Sequence, residues 1–209
     1  MEFRPAIRSD LSGLVQLMTR AFQSYPTFMM AFRAPFRETA SYRQFLDDYF
    51  VMELLNYWRK GKIVVAEEQG KLIAIGVMAA PTVRLTWWDY LRSGGRRLIW
   101  PYLWHHRSGL TEIKRADGMT HLDQNTWTLV YFAVDPTFQG QGVGTRLLKQ
   151  QIIPTVRAAG ALRLTLVTNT QRNVHYYGDQ DFQVVAQRQV DSRGVKVFNW
   201  QLTRSISAT

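Results

Sequence analysis

The chain has no cysteine in its 209 residues. Disulfides are therefore impossible, an oxidising compartment gains no support, and an acyl group cannot be carried as a cysteine thioester. Acidic side chains are outnumbered, 16 against 26 basic ones, leaving a formal net charge of +10. Such an excess draws a protein to nucleic acid, to membrane surfaces or to a polyanionic small molecule, and charge alone does not choose among them. No helix-turn-helix, zinc or RNA-recognition signature accompanies it, so no nucleic acid is expected as the main partner. No stretch reaches the ~18 apolar residues that span a bilayer, and residues 1–5 lack the apolar core of a secretory signal, so a cytoplasmic location is expected. Linkers rich in Pro, Gly or Ser, internal repeats and low-complexity tracts are also missing, and one domain over residues 1–209 is expected. Histidines number only 4, and the adjacent His105 and His106 diverge on a helix, so no metal pair and no metal are expected.

What the chain does have is concentrated between residues 129 and 148. The run 129–134 is short, aromatic and β-branched, as a buried strand should be, and Asp135-Pro136 ends it with a turn. Gly140, Gly142 and Gly144 follow. With no Cβ over the backbone, the amides of residues 141–145 can point outward at a phosphate, backed by the positive end of the next helix. A dinucleotide fingerprint would need a further glycine where the chain has Thr145, and a nucleoside-triphosphate loop would need Gly-Lys where it has Thr145-Arg146. The remaining pattern, Gln139-Gly140-Gln141-Gly142-Val143-Gly144, reads Gln/Arg-x-x-Gly-x-Gly/Ala. It resembles the acetyl-coenzyme A pyrophosphate loop of the GNAT superfamily of N-acetyltransferases.

The flanks extend the resemblance. A helix over 143 to about 158, a Gly160 stop and a strand over 162–168 lead to Asn173-Val-His-Tyr-Tyr-Gly-Asp-Gln-Asp-Phe182, which looks like the family's Asn-x-x-x-Tyr-x-x-x-Gly-Phe box. The resemblance implies that Asn173 touches the pantetheine arm, with Asn169 counted beside it on the cofactor, and that Tyr177 sits near the sulfur. Asp181 stands where the family carries glycine, which puts the turn after Tyr177 in question. The resemblance further implies that backbone amides of the strand before the loop, at Ala133 and Val134, grip the pantetheine and face the carbonyl. Fixed donors of this kind stabilise an oxyanion. Tyr177 is the expected proton donor, with Tyr176 as its fallback, because a phenol of pKa about 10 protonates a thiolate of pKa about 8.5 with little penalty. The cofactor set is then Ala133, Val134, Gln139, Gly140, Gln141, Gly142, Val143, Gly144, Thr145, Asn169 and Asn173, with Arg146 and Lys149 as helping cations.

Upstream, 3–8 alternates like an edge strand, and Ser9-Asp10 precedes helical spacing of Leu11, Leu14, Val15, Leu17, Met18 and Phe22. A second helix over about 38–58 aligns Phe45, Leu46, Tyr49, Phe50, Leu54 and Tyr57, and Gly61 ends it. Runs 63–68 and 72–79 around Gln69-Gly70 predict a hairpin, and 183–190 with 195–202 around residues 191–194 predict another. The order β-α-α-β-β, insert, β-α-β-α-β-β matches the GNAT layout. The expected fold is α/β of the α+β type: a mixed central sheet of six to seven strands flanked by helices, with a helical aromatic insert over about 83–123.

That insert holds Trp87, Trp88, Trp100 and Trp104, four of the seven tryptophans, interleaved with Arg84, Arg92, Arg96, Arg97, Arg107, Lys114 and Arg115. A substrate lid or a polyanion-binding surface is one reading; the preferred one is a set of short helices packing aromatics on the sheet edge with solvated arginines. No carboxylate lies on the central strand, so the general base is not assigned; His121 and Asp123, just before that strand, are candidates, and His175 supports the tyrosine box. The expected activity is direct transfer from acetyl-CoA, as cosubstrate, to a primary amine of a small molecule. Two alternatives stay open: a non-catalytic CoA-binding regulatory module, and a nucleic-acid or membrane-binding protein that uses the insert. A homodimer through the insert or the last hairpin is possible.

Overall fold

The structure, a computed structural model, describes residues 1–95, 123–192 and 195–206. Its strands are β1 (Glu2–Pro5), β2 (Lys62–Glu68), β3 (Lys71–Ala79), β4 (Thr126–Val134), β5 (Arg163–Thr168), β6 (Gln183–Ser192) and β7 (Val195–Ser205). They form one seven-stranded sheet in the order β1-β2-β3-β4-β5-β7-β6, antiparallel except at β4–β5. The β2–β3 hairpin turns where the sequence predicted. Gln69 and Gly70 both adopt left-handed backbone (φ 50° and 75°), the geometry of a type I′ turn whose twist matches that of the strands it joins.

Helices cover both faces. On one face, α1 (Leu11–Phe22) and α2 (Thr39–Lys60) bury Leu14, Leu17, Met18, Leu46, Phe50 and Leu54 against Val65, Ile75 and Val77. Between these helices the chain makes a short helical turn (Pro26–Phe28) and a π turn (Met29–Arg33), which add Phe28 and Phe32 to the same core. Helix α2 is buried on more than its predicted stripe, because Met52, Glu53 and Asn56 are covered as well. The cover is the start of the insert: Lys60 pairs with Asp89 at 2.6 Å, and the Ser93 hydroxyl donates to Asn56.

On the other face, α3 spans residues 143–158 and α4 is Gln171–Gly178. Helix α3 is not uniform. Val143–Leu147 and Ile153–Ala158 are joined by a π turn, Leu148–Ile152, just before Pro154. Proline has no N–H to donate and its ring crowds the carbonyl four residues back; the wider turn absorbs both problems without ending the helix. Leu147, Leu148, Ile152 and Val156 pack on Ala66, Ile73, Ala74 and Met78.

The insert departs from expectation in its described part. Trp87 and Trp88 are 60% and 58% exposed, and their rings meet each other at 3.8 Å rather than the sheet edge. Trp100, Trp104, His105, His106, His121, Arg96, Arg97, Arg107, Lys114 and Arg115 lie outside the described residues.

Candidate active site

In the glycine loop the three glycines serve two purposes. Gly140 (φ 77°) and Gly142 (φ 73°) are left-handed with open space where a Cβ would stand, so they are required for backbone conformation. Gly144 is required for room. A Cβ there would lie 3.2 Å from the Tyr176 hydroxyl and 3.3 Å from both Phe132 and Val134 side chains. Asp135, only 2% exposed, anchors the loop: its carboxylate accepts from the Thr137 amide at 3.1 Å and hydroxyl at 2.7 Å, and from Arg20 of α1 at 2.8 Å. Burial opposes its charge, but the bonds from Thr137 and Arg20 outweigh it and hold the carboxyl below the usual range.

Strand β4 pairs with β5 at only three positions, Thr126↔Arg163, Trp127↔Leu164 and Thr128↔Thr165, and beyond them the strands part. The wedge runs into two adjoining cavities. The first, about 490 Å³, lies along the glycine loop and includes Phe132, Ala133, Val134, Gln139, Gly144 and Thr145 in its wall. The second, about 80 Å³, opens on the α1–α2 face among Phe28, Tyr49, Tyr131 and Leu166. Phe22, Tyr25, Phe132, Asn173 and Tyr177 line both.

Amide direction within β4 corrects one expectation. The Asp135 N–H donates to Ile73 of β3 at 2.8 Å, and successive amides of a strand point to opposite edges. Ala133 is thus turned to β3, whereas Phe132 and Val134 present their amides to the wedge. The Val134 carbonyl on that edge accepts from the Gln139 side chain at 3.2 Å. The amides on the wedge edge are thus those of Phe132 and Val134, and Ala133 contributes to the cavity wall.

Tyr177 is buried at the junction of the cavities, and Tyr176 points toward the loop. Burial raises the Tyr177 phenol well above its ordinary pKa, with Tyr25 and Tyr176 adding to the effect. Burial also raises Tyr176; Thr145 lies near enough to oppose this, yet its hydroxyl makes no hydrogen bond of good geometry to the buried Tyr176 oxygen. Asn173 donates to Thr168 Oγ1 at 2.9 Å and faces both cavities. Asn169 is not brought to the loop: its side-chain amide donates to the Phe198 carbonyl at 3.3 Å and to Asn199, and it lines the second cavity only. Gln141 is exposed and donates to the Thr137 carbonyl at 3.1 Å. Asp123, a candidate base, pairs with Arg163 and caps Thr126 at the far end of β4, away from the wedge. His175 is exposed, 3.5 Å from Gln171.

The departure at Asp181 turns out to preserve the turn. Asp181 adopts φ 62°, the left-handed conformation that glycine takes most readily. The Phe182 N–H bonds the Tyr177 carbonyl and the Asp181 N–H the Gly178 carbonyl, both at 3.0 Å, which is a Schellman cap. Phe182 closes it against Tyr177, ring centroids 5.4 Å apart.

Residues 23–182 match the model of the "Acetyltransferase (GNAT) family", which spans most of the chain. The chain belongs to the GNAT acetyltransferase family. Solved structures agree on the fold. A structure described as "histone acetyltransferase HPA2 and related acetyltransferase" from Corynebacterium glutamicum is 20% identical, with a TM-score of 0.69 over 99% of this chain and 97% of that one. The ribosomal-protein-S18-alanine N-acetyltransferase of Escherichia coli is 14% identical, with a TM-score of 0.58 over 100% and 95%. An N-acetyltransferase from Staphylococcus aureus Mu50 is 14% identical, with a TM-score of 0.60 over 99% and 98%. No curated protein matches the sequence. This is therefore a GNAT acyltransferase with a mixed seven-stranded sheet, and no described helix is long and apolar enough to cross a membrane.

Three parts of this GNAT site were not singled out from sequence. Tyr25 joins both cavities and bonds Thr168 Oγ1 and the Asn169 amide, each at 3.0 Å. Arg172, at the start of α4, adds a cation to the loop cavity. Arg20 fixes the loop through Asp135. Only the helix N-terminus at Thr170 offered a signal for Arg172; the other two contacts join residues more than a hundred positions apart.

Proposed function

We propose that this GNAT protein transfers an acetyl group from acetyl-coenzyme A to a primary amine of a small molecule by direct attack in a ternary complex. The observation that carries the reading is the meeting of a phosphate-shaped loop cleft and a small aromatic cavity at Tyr177. The loop fits a diphosphate: backbone amides of residues 140–145 head α3, Arg172 adds positive charge, and the buried Tyr176 hydroxyl beside Gly144 has no partner among the described residues. Acetyl-CoA supplies an activated thioester. Among the described residues, the Phe132 and Val134 amides are the donors aimed at the wedge, where an oxyanion gains most from fixed dipoles. Tyr177 gives a proton to the departing sulfur; its raised pKa keeps it protonated until the thiolate forms. With no cysteine, the chain cannot carry the acyl group as a cysteine thioester, which supports direct transfer with both substrates bound together.

A small acceptor is favoured because the second cavity measures about 80 Å³ and is walled by Phe22, Phe28, Tyr49 and Tyr131. The test is thiol release from acetyl-CoA with a panel of arylalkylamines, amino-acid derivatives and short peptides. Turnover confined to the small amines supports the reading, and turnover confined to peptides replaces its acceptor class. In Tyr177→Phe, kcat should fall about 100-fold while CoA affinity by calorimetry stays unchanged; an undiminished kcat removes Tyr177 from the proton path. Absence of CoA binding by the purified protein would end the proposal.

A further inference from the structure

The central strand offers no carboxylate to take the proton of the attacking amine, but the aromatic cavity is wired to one. Glu53, on α2 and 5% exposed, accepts a hydrogen bond from the Tyr131 hydroxyl at 2.9 Å. The Tyr49 hydroxyl lies 3.2 Å from that of Tyr131. Since Tyr131 has only one proton and gives it to Glu53, Tyr49 is the donor of the second bond. The order is therefore Tyr49 to Tyr131 to Glu53, and both phenols line the cavity that meets Tyr177. We infer that Glu53 receives the proton of the acceptor amine through the hydroxyls of Tyr131 and Tyr49, so that proton removal runs from the wedge into α2 rather than along β4. The inference rests on the transferase reading above.

The relay balances. An ammonium entering the cavity gives one proton to the Tyr49 oxygen as the Tyr49 proton moves to Tyr131 and that of Tyr131 moves to the Glu53 carboxylate. The neutral nitrogen then forms a C–N bond to the acyl carbon and the C–S bond breaks. Tyr177 protonates the sulfur and recovers its proton from the nitrogen, while Glu53 returns its own to solvent. Neither phenol has to exist as a phenolate, which agrees with burial holding Tyr131 well above its ordinary pKa. Other titratable groups surround the path: Tyr90, beyond β3, faces Glu53, and Tyr57 of α2 faces Tyr131. Burial, Glu53 and Asp89 together push Tyr90 upward, so it too stays neutral.

The experiment compares full-length wild type, Glu53→Gln and Tyr131→Phe, using the arylalkylamine that the wild type acetylates fastest and a weakly basic analogue already neutral at the assay pH. CoA affinity by calorimetry controls for folding in each variant. With the basic amine, both variants should lose about 100-fold in kcat with KM for acetyl-CoA unchanged. The acid limb of their kcat/KM profile should move up to the titration of the amine itself. With the weakly basic amine the deficit should shrink to a few-fold, a rescue that a purely structural role of Glu53 would not give. Variants that keep the wild-type kcat and acid limb, or that lose equal activity with both amines at every pH, overturn the relay. A wild type that binds CoA but acetylates no amine overturns the transferase reading and this inference with it.

Discussion

Asp181 gives the sharpest test of how the tyrosine box is held, because its conformation and its neighbours predict two opposite outcomes for two substitutions. The residue sits at the left-handed position of the cap that ends α4, and that cap seats Tyr177 against Phe182. For a side chain with a Cβ this conformation costs about 1–2 kcal/mol, with Asp at the low end because it tolerates it. Asp181→Gly removes roughly 1 kcal/mol of that conflict. It also loosens the unfolded chain, a loss of about 0.4–1 kcal/mol. The ion pair to Arg204, at 3.3 Å with the carboxylate 79% exposed, is lost as well. An exposed pair of this kind is typically worth about 0.5 kcal/mol. The terms nearly cancel, so Asp181→Gly should melt within about 2 °C of wild type. Asp181→Val brings a β-branched side chain to a positive φ and should lose about 1.5 kcal/mol, lowering Tm by about 3–6 °C in a protein of this size. Turnover of Asp181→Gly should match that of wild type, since the cap and Tyr177 stay in place. Thermal denaturation followed by circular dichroism, together with thiol release, reads both quantities. A valine variant as stable as wild type would refute the strain argument. A glycine variant with tenfold altered turnover would mean that Asp181 acts on the reaction and not only on the turn.

Two further perturbations bear on the loop. Gly144→Ala gains about 1 kcal/mol of helix propensity but forces a methyl to within 3.3 Å of Tyr176, Phe132 and Val134. Overpacking costs about 1–3 kcal/mol, so Tm should fall by no more than ~8 °C while KM for acetyl-CoA rises at least tenfold; an unchanged KM would show that the cavity wall does not depend on this contact. In acid, the bond from Arg4 holds the Asp10 carboxyl below its ordinary pKa, and the bonds to Asp135 do the same against its burial. A carboxyl lowered by folding stabilises the protein above the ordinary range of about 4, and that contribution is lost as pH drops through the lowered value. Asp135→Asn should therefore start less stable at neutral pH and lose less stability on acidification than wild type, as measured by urea unfolding at stepped pH; parallel losses would contradict the assignment.

What could be read from the sequence follows from how local each determinant is. The glycine loop was legible because left-handed backbone at two positions and lack of room at a third demand glycines at fixed spacing. The β2–β3 hairpin was legible for a similar reason, since two consecutive left-handed residues leave few choices. Helix α2 was legible on one stripe only, because the burial of Met52 and Asn56 comes from the insert rather than from the sheet. Glu53 carries no local signal, being one charge inside a helix. Its meaning depends on Tyr131, 78 residues away. Tyr25 was equally silent, as its partner Thr168 lies 143 residues downstream. The expectation for Ala133 failed on a point of strand geometry: two consecutive amides cannot share one edge, and the loop pattern says nothing of which one faces the wedge.

The wedge itself must be stabilised, because two parallel strands that pair for three residues would ordinarily go on pairing. Backbone groups left along the parted edges need partners, and a buried one without a partner costs about 1–3 kcal/mol. Side chains supply two of them. The Tyr25 hydroxyl accepts the Asn169 N–H at the end of β5, and the Gln139 amide donates to the Val134 carbonyl at the end of β4. On its other side β5 stays paired with β7 through Thr168. Phe22 and Tyr25 line both cavities of the wedge, and Phe22 packs on Tyr25, Phe28 and Tyr131, so closure would require moving these rings. The donors left directed into the opening are the Phe132 and Val134 amides. The side chains that keep the strands apart thus leave unspent the backbone dipoles that an acyl oxygen would use. Tyr25, though it carries none of the expected motif, is in this account as necessary to the site as the glycines are.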